Sequence, residues 1–304
     1  MKVSLKEQLF VAKLTVQLKT KSKNKPNRQR QSMPLNGMTK LLLSSLITFS
    51  AQAEIQLSGE MVQGALIVGK TQATNTVMLN EQTLPVSKKG DYVFAFSRDD
   101  KAEYTLTVTT PTGDVEQKSF KPAPREYKIS RLEGISKKIM NPNKKAQTRS
   151  AQDSAAIGKV RKISSDLTHF SQGFIAPRSS RITGVYGSQR FYNGVPKNPH
   201  YGVDYAGNIG APVKAPASGT IILWEPDMFY SGGTLVIDHG HGITSNFLHL
   251  SASLVNVGDK VKQGEVIAKV GNSGRVTGPH LDWRMNWHKV RFDPQLAMKV
   301  LPFK

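Results

Sequence analysis

The sequence predicts an all-β protein: a small N-terminal β-sandwich module followed by a Gly-rich antiparallel β-sheet domain. Three observations carry the prediction. Residues 55–123 hold short β-branched or aromatic runs, Ala65–Val68, Thr76–Leu79, Tyr92–Phe96 and Tyr104–Thr109, parted by turn clusters such as Lys89-Gly90-Asp91 and Pro111-Thr112-Gly113-Asp114. Residues 176–304 repeat the pattern at Gly219–Trp224, Thr234–Asp238, Ile243–His249 and Glu265–Val270, with glycines at nearly every turn. No sustained 3.6-residue apolar period runs through that second region, which argues against helices there.

The chain has 304 residues and a formal charge of +20. The charge is uneven. Residues 1–40 carry ten Lys or Arg against one acidic residue, Glu7, and residues 125–162 are again basic. Such runs are solvated tails and linkers or attract polyanions, and charge alone does not choose between nucleic acid, anionic lipid and acidic wall polymers. There is no cysteine, which excludes disulfides and thiolate metal sites. A zinc site here must draw on His, Asp, Glu or water.

The first segment, residues 1–53, is a basic extension and signal peptide. Met38-Thr39-Lys40 leads into the apolar run Leu41–Phe49 and then Ser50-Ala51-Gln52-Ala53. A basic start, a short apolar stretch and an Ala-x-Ala end are the three parts of a secretory signal. Nine apolar-run residues fall short of the roughly 20 that span a bilayer. Cleavage is expected after Ala53, with no membrane span in the mature chain. Residues 54–123 form the β-sandwich module, which has no His and no convergent carboxylates, so its role is structural or binding. Residues 124–175 read as a basic linker, with Met140–Lys145 a loop and Ser150–Leu167 able to hold a helix.

Six of the seven histidines lie in residues 176–304. In His200-Tyr201-Gly202-Val203-Asp204 an extended backbone puts 200, 202 and 204 on one face, with only Gly202 between an imidazole and a carboxylate. A side chain at 202 would crowd an ion held there. The bland alternative is a His–Asp hydrogen bond on a surface strand. His280–Trp287 alternates strictly: His280, Asp282, Arg284 and Asn286 face one way, and Leu281, Trp283, Met285 and Trp287 face the core. By itself this is an ordinary half-buried strand. His249 is expected to end a strand that pairs with 234–238 through the turn Asp238–Gly242, which would leave His239 and His241 facing solvent.

The segment from Ile182 to Pro294 resembles the M23 family of zinc metallopeptidases, the LytM or lysostaphin-type domain. The match is carried by His200-x-x-x-Asp204, Gly210-Ala211-Pro212-Val213, Ala215-Pro216-Ala217-Ser218-Gly219, Phe247-Leu248-His249-Leu250-Ser251, and Gly271-Asn272-Ser273-Gly274 with Thr277-Gly278-Pro279-His280-Leu281. The resemblance implies a peptidase domain over 176–304. It also implies zinc on His200 and Asp204, catalytic roles for His249 and His280, peptidoglycan as substrate, and an exported, periplasmic setting. No nucleic-acid partner is expected; the β-sandwich could meet another envelope component. One position departs. Asp282 stands where the family has the second His of His-x-His. A carboxylate is a competent zinc ligand, although a His/Asp/Asp set also suits a harder ion such as manganese.

Two readings follow from the resemblance. One is a metal-dependent endopeptidase cutting peptidoglycan cross-links. The alternative is a degenerate LytM-like domain that binds the wall or activates another hydrolase. A third reading comes from Val257–Ala268, which resembles the turn-rich strands of biotinyl and lipoyl carriers. It lacks the exposed Lys hairpin beside Met that a carrier needs, and it leaves the histidines unexplained.

Overall fold

A computed structural model of the chain describes residues 55–134 and 143–303; the signal-like segment lies outside them. The described residues are mostly β-strand, as the alternating and β-branched runs require. The first part holds β1 (Gln56–Ser58), β2 (Leu66–Lys70), β3 (Thr76–Leu79), β4 (Gln82–Leu84), β5 (Asp91–Ala95), β6 (Tyr104–Thr109), β7 (Val115–Phe120) and β8 (Ile129–Leu132). Strands β1-β2-β5 form one sheet and β4-β3-β6-β7 another. Phe94, Phe96, Tyr104 and Phe120 cluster with ring centroids 5.4 to 6.0 Å apart.

A single α-helix, α1 (Lys144–Val160), follows. It starts before the expected Ser150 and ends before Leu167. Asn143 caps it, its side chain accepting from Ala146 N at 2.9 Å. An Asn directly before a run of helix formers is a start signal, so Lys144 and Lys145 are helical and not loop.

The second part holds β9 (Ile182–Gly184), β10 (Gln189–Tyr192), β11 (Val195–Pro196), β12 (Val203–Ala206), β13 (Pro212–Lys214), β14 (Gly219–Met228), β15 (Gly232–Gly240), β16 (Ile243–Ser253), β17 (Lys260–Val261), β18 (Val266–Val270), β19 (His280–Trp287) and β20 (Val290–Phe292). A four-residue helix, α2 (Pro294–Ala297), closes it. The main sheet runs β17-β14-β15-β16-β19-β12-β9, with β13, β18 and β20 attached at its sides. Leu281, Trp283 and Met285 of β19 are fully buried, as the alternation predicts.

The two parts meet directly. Arg125 pairs with Asp293 at 3.0 Å, Arg98 donates to Gly187 O at 2.8 Å, and β8 pairs in parallel with β10. Among the described residues no helix is long and apolar enough to cross a membrane.

His239 and His241 are not solvent-facing; both are buried. The segment after α1 folds back over their hairpin, with His241 N donating to Ser165 O at 2.9 Å and the Phe170 ring 4.9 Å from the His241 ring. His239 lies between Ser218 O at 2.7 Å and Ser245 Oγ at 2.8 Å. Burial pushes its pKa down to about 4, outweighing the Ser218 carbonyl.

This residue therefore binds a proton more readily in the unfolded chain, where its pKa is about 6.5. Its stabilising contribution is present above pH 6.5 and is lost as the pH falls toward 4. Between pH 7 and pH 5 the loss is about 2 kcal/mol. Urea unfolding at the two pH values checks this: a His239→Gln variant should show a flatter pH dependence than the wild type, whatever its absolute stability.

Candidate metal centre

The site is assembled by strand register. In the antiparallel pair β12–β19, Asp204 lies opposite Asp282 and Ala206 opposite His280. In the pair β16–β19, Leu248 lies opposite Asp282, which brings His249 to the same end of the sheet. His200 sits just before β12, because the strand begins at Val203 and not at 200. It still reaches the two carboxylates: its Nε2 is 3.1 Å from Asp204 Oδ1 and 3.5 Å from Asp282 Oδ2. His280 Nε2 is 3.9 Å from Asp204 Oδ1. The rings of His249 and His280 are 4.9 Å apart. The five predicted site residues thus converge.

Backbone carbonyls aim all three imidazoles. His200 Nδ1 faces Val185 O at 3.2 Å, His249 Nδ1 faces Ser273 O at 3.0 Å, and His280 Nδ1 faces Gly278 O at 2.8 Å. A carbonyl only accepts, so each Nδ1 carries a hydrogen, which leaves Nε2 as the ring nitrogen available to a ligand or a proton. These carbonyls were not foreseeable as site elements, since a backbone oxygen has no residue signature.

His249 is not at a strand end, because β16 continues to Ser253. It occupies a bulge: Phe247 pairs with Leu235 and Leu250 with Gly233, so two residues stand opposite one. Its φ is 65°, a left-handed conformation that is costly for a non-glycine residue. Bulges of this kind re-aim side chains next to active sites.

His200, Asp204 and Asp282 each offer a ligand atom, all within 4.8 Å of one another. Two features of the apo geometry fit a cation. His200 Nε2 and Asp204 Oδ1 are sealed from solvent and lie 3.1 Å apart, with Asp282 Oδ2 3.5 Å from the same nitrogen. Small residues also keep the cradle open: a Cβ on Gly202 would run into Asp282 Oδ1, and one on Gly184 into Asp204 Oδ2.

Asp282 is also held from outside. Arg284 Nε donates to both of its oxygens at 3.1 and 3.0 Å, and Arg284 Nη2 to Oδ2 at 2.6 Å. Burial opposes ionisation of Asp282, but Arg284 and His200 outweigh it and hold the carboxyl well below the usual range. Burial likewise opposes a charge on His200, yet Asp282 and Asp204 push its pKa up to about 10. Burial lowers the pKa of His249, with Asp282 opposing, so that imidazole is neutral at pH 7.

Three converging side-chain atoms of His200, Asp204 and Asp282 that could hold a metal ion therefore lie on an antiparallel sheet beside two further imidazoles. Residues 198–294 match the family model of peptidase family M23. Peptidoglycan DD-endopeptidase ShyA of Vibrio cholerae is 43% identical over 102 residues, 34% of this chain and 23% of that protein. Lysostaphin of Staphylococcus simulans is 34% identical over 119 residues, 39% of this chain and 24% of that protein. The chain thus spans about a quarter of the length of these curated relatives. A crystal structure of a Pseudomonas aeruginosa protein assigned to peptidase M23 shares the fold, with a TM-score of 0.61 at 24% identity. It covers 79% of this chain and 96% of that one.

The raised pKa of His200 would make binding of an ion there proton-linked. Below about pH 10 the apo imidazole is charged, whereas a ligand must be neutral. Calorimetric titration with zinc at pH 7.5, in buffers of different ionisation enthalpy, should show release of about one proton per ion. A His200→Ala variant should lose both the binding and the release.

Proposed function

We propose that the chain is a zinc-dependent endopeptidase that hydrolyses peptide cross-links of bacterial peptidoglycan in the exported, periplasmic envelope. The observation that carries the reading is the convergence of His200, Asp204 and Asp282, whose ligand atoms lie within 4.8 Å of one another, beside the His249 and His280 rings 4.9 Å apart. The relatives' peptidoglycan activity supports the same substrate. The non-catalytic alternative would leave this constellation without a purpose.

His200, Asp204 and Asp282 are the protein ligands in this reading, with zinc favoured and manganese the rival ion. A zinc ion held there supplies Lewis acidity toward the scissile carbonyl and the attacking water. His249 is neutral at pH 7, so its Nε2 accepts the proton released as water attacks. His280 Nε2, 3.9 Å from Asp204 Oδ1, would donate to the oxygen that gains negative charge when it carries a proton in addition to the one on Nδ1. The proton then returns to the leaving amine. The Ser273 carbonyl holds His249 in the tautomer that leaves Nε2 free to accept a proton, and the Gly278 carbonyl orients the His280 ring.

Digestion of purified peptidoglycan tests the proposal. The zinc-loaded wild type should release peptide fragments with new amino termini, and His249→Ala should be slower by about 100-fold or more. Equal release by both would remove His249 from catalysis, and no release by the zinc-loaded wild type would sink the enzyme reading. Asp282→His should keep or raise zinc affinity, read by chelator competition. A clear loss would show that position 282 is not a ligand position.

A further inference from the structure

Beside the metal centre, a cleft of about 220 Å³ opens between α1 and the sheet. Three guanidinium groups line it: Arg161 at the C-terminal end of α1, Arg284 of β19 and Arg291 of β20. Arg284 is tied to Asp282, and Arg291 lies over the Tyr201 ring at 4.4 Å. Arg161 makes no ion pair, and its Nε is sealed from solvent with no hydrogen-bond partner. The only carboxylate on the wall is Asp153, which accepts from Phe229 N at 2.7 Å and from Arg149 at 3.3 Å. Burial lowers the basicity of Arg161 to about 10, and the charges of Arg291 and Arg284 add to the effect. Among the described residues Arg161 is therefore a guanidinium of this cleft without an ion-pair partner.

We propose that this cleft is a carboxylate-binding subsite, which takes a free carboxylate of the peptide substrate on Arg161 while the peptide crosses the metal centre. Arg161 is half-buried, with its Nε sealed and lacking an acceptor, and a carboxylate meets a guanidinium with two parallel hydrogen bonds. The wall also contains Ile157, Met228 and Leu248, which suit the carbon skeleton next to a peptide carboxylate better than a bare inorganic anion. A second recess of about 260 Å³ shares Tyr230, Ser231, Leu248 and Arg284 with the first and reaches His249. The two recesses thus adjoin, the arginines lining the first and His249 lining the second. The identity of the peptide rests on the peptidase reading above; the carboxylate preference rests on the cleft itself.

Equilibrium binding tests the subsite without turnover. N-acetylated trialanine, as the free acid and as the C-terminal amide, is titrated into the full zinc-loaded chain by calorimetry, with inorganic phosphate alone as a third ligand. The acid should bind about tenfold more tightly than the amide, the worth of one charge-assisted pair. Arg161→Gln should bring the two within about twofold, and Arg161→Lys should keep most of the preference. Equal affinities in the wild type, an undiminished preference in Arg161→Gln, or phosphate bound as tightly as the peptide acid would each overturn the proposal. The wild-type comparison needs no variant to fold. Failure to digest peptidoglycan would count against the peptidase reading alone, because the binding measurement does not depend on cleavage.

Discussion

Two carboxylates facing each other across a strand pair set the terms for the whole site. Asp204 and Asp282 are register partners in β12 and β19, and like charges directly opposite destabilise a sheet. The pairing persists because cations surround it: His200 touches both carboxylates, and Arg284 grips Asp282. Removing one cation would leave a buried charge uncompensated, which costs far more than an exposed pair is worth. The site therefore holds itself together with a proton on His200, which an ion bound there would displace.

Arg284 bears on the departure at position 282. A His/Asp/Asp set brings one more negative charge to a divalent ion than a His/His/Asp set would. Arg284 returns one positive charge directly against the extra carboxylate, so the summed charge around the ion is that of the two-histidine arrangement. The guanidinium also occupies part of the lone-pair capacity of Asp282, which makes that oxygen pair a weaker donor than a free carboxylate. Both effects favour retention of Lewis acidity at the centre. The same guanidinium faces the arginine-lined cleft, so the residue that balances the ligand set also links it to the anion subsite.

Legibility followed the range of the interaction that fixes each feature. The alternation in His280–Trp287 is local, and it gave the buried face and the polar face correctly. The His200–Asp204 spacing is also local, and the two side chains meet even though the strand starts at Val203. His239 and His241 were misread because their cover comes from Ser165 to Phe170, about seventy residues earlier in the chain. A turn with histidines looks exposed until a distant segment lies over it. The start of α1 was misplaced for a different reason: Asn143 follows Asn141-Pro142, and the cap signal was absorbed into the loop signal. The bulge at His249 has no composition of its own, since nothing about Leu248-His249-Leu250 announces two residues opposite one.

That bulge explains why a histidine sits in a backbone conformation it disfavours. A regular strand would send His249 to the face opposite its neighbour, at the spacing the pleat dictates. The extra residue breaks the pleat, and His249 N donates to Ser231 O at 2.8 Å while Nδ1 meets Ser273 O. Ser273 is in turn fastened, with its Oγ donating to Leu250 O at 2.8 Å and accepting from Gly233 N at 2.9 Å. Gly232 and Gly274 make this approach feasible, because a Cβ on either would strike the facing backbone. The strain at His249 is thus held by hydrogen bonds from three segments. A single relaxed residue could not hold the ring beside His280 with its Nε2 turned inward, and strain of this kind persists only where the surroundings over-determine it.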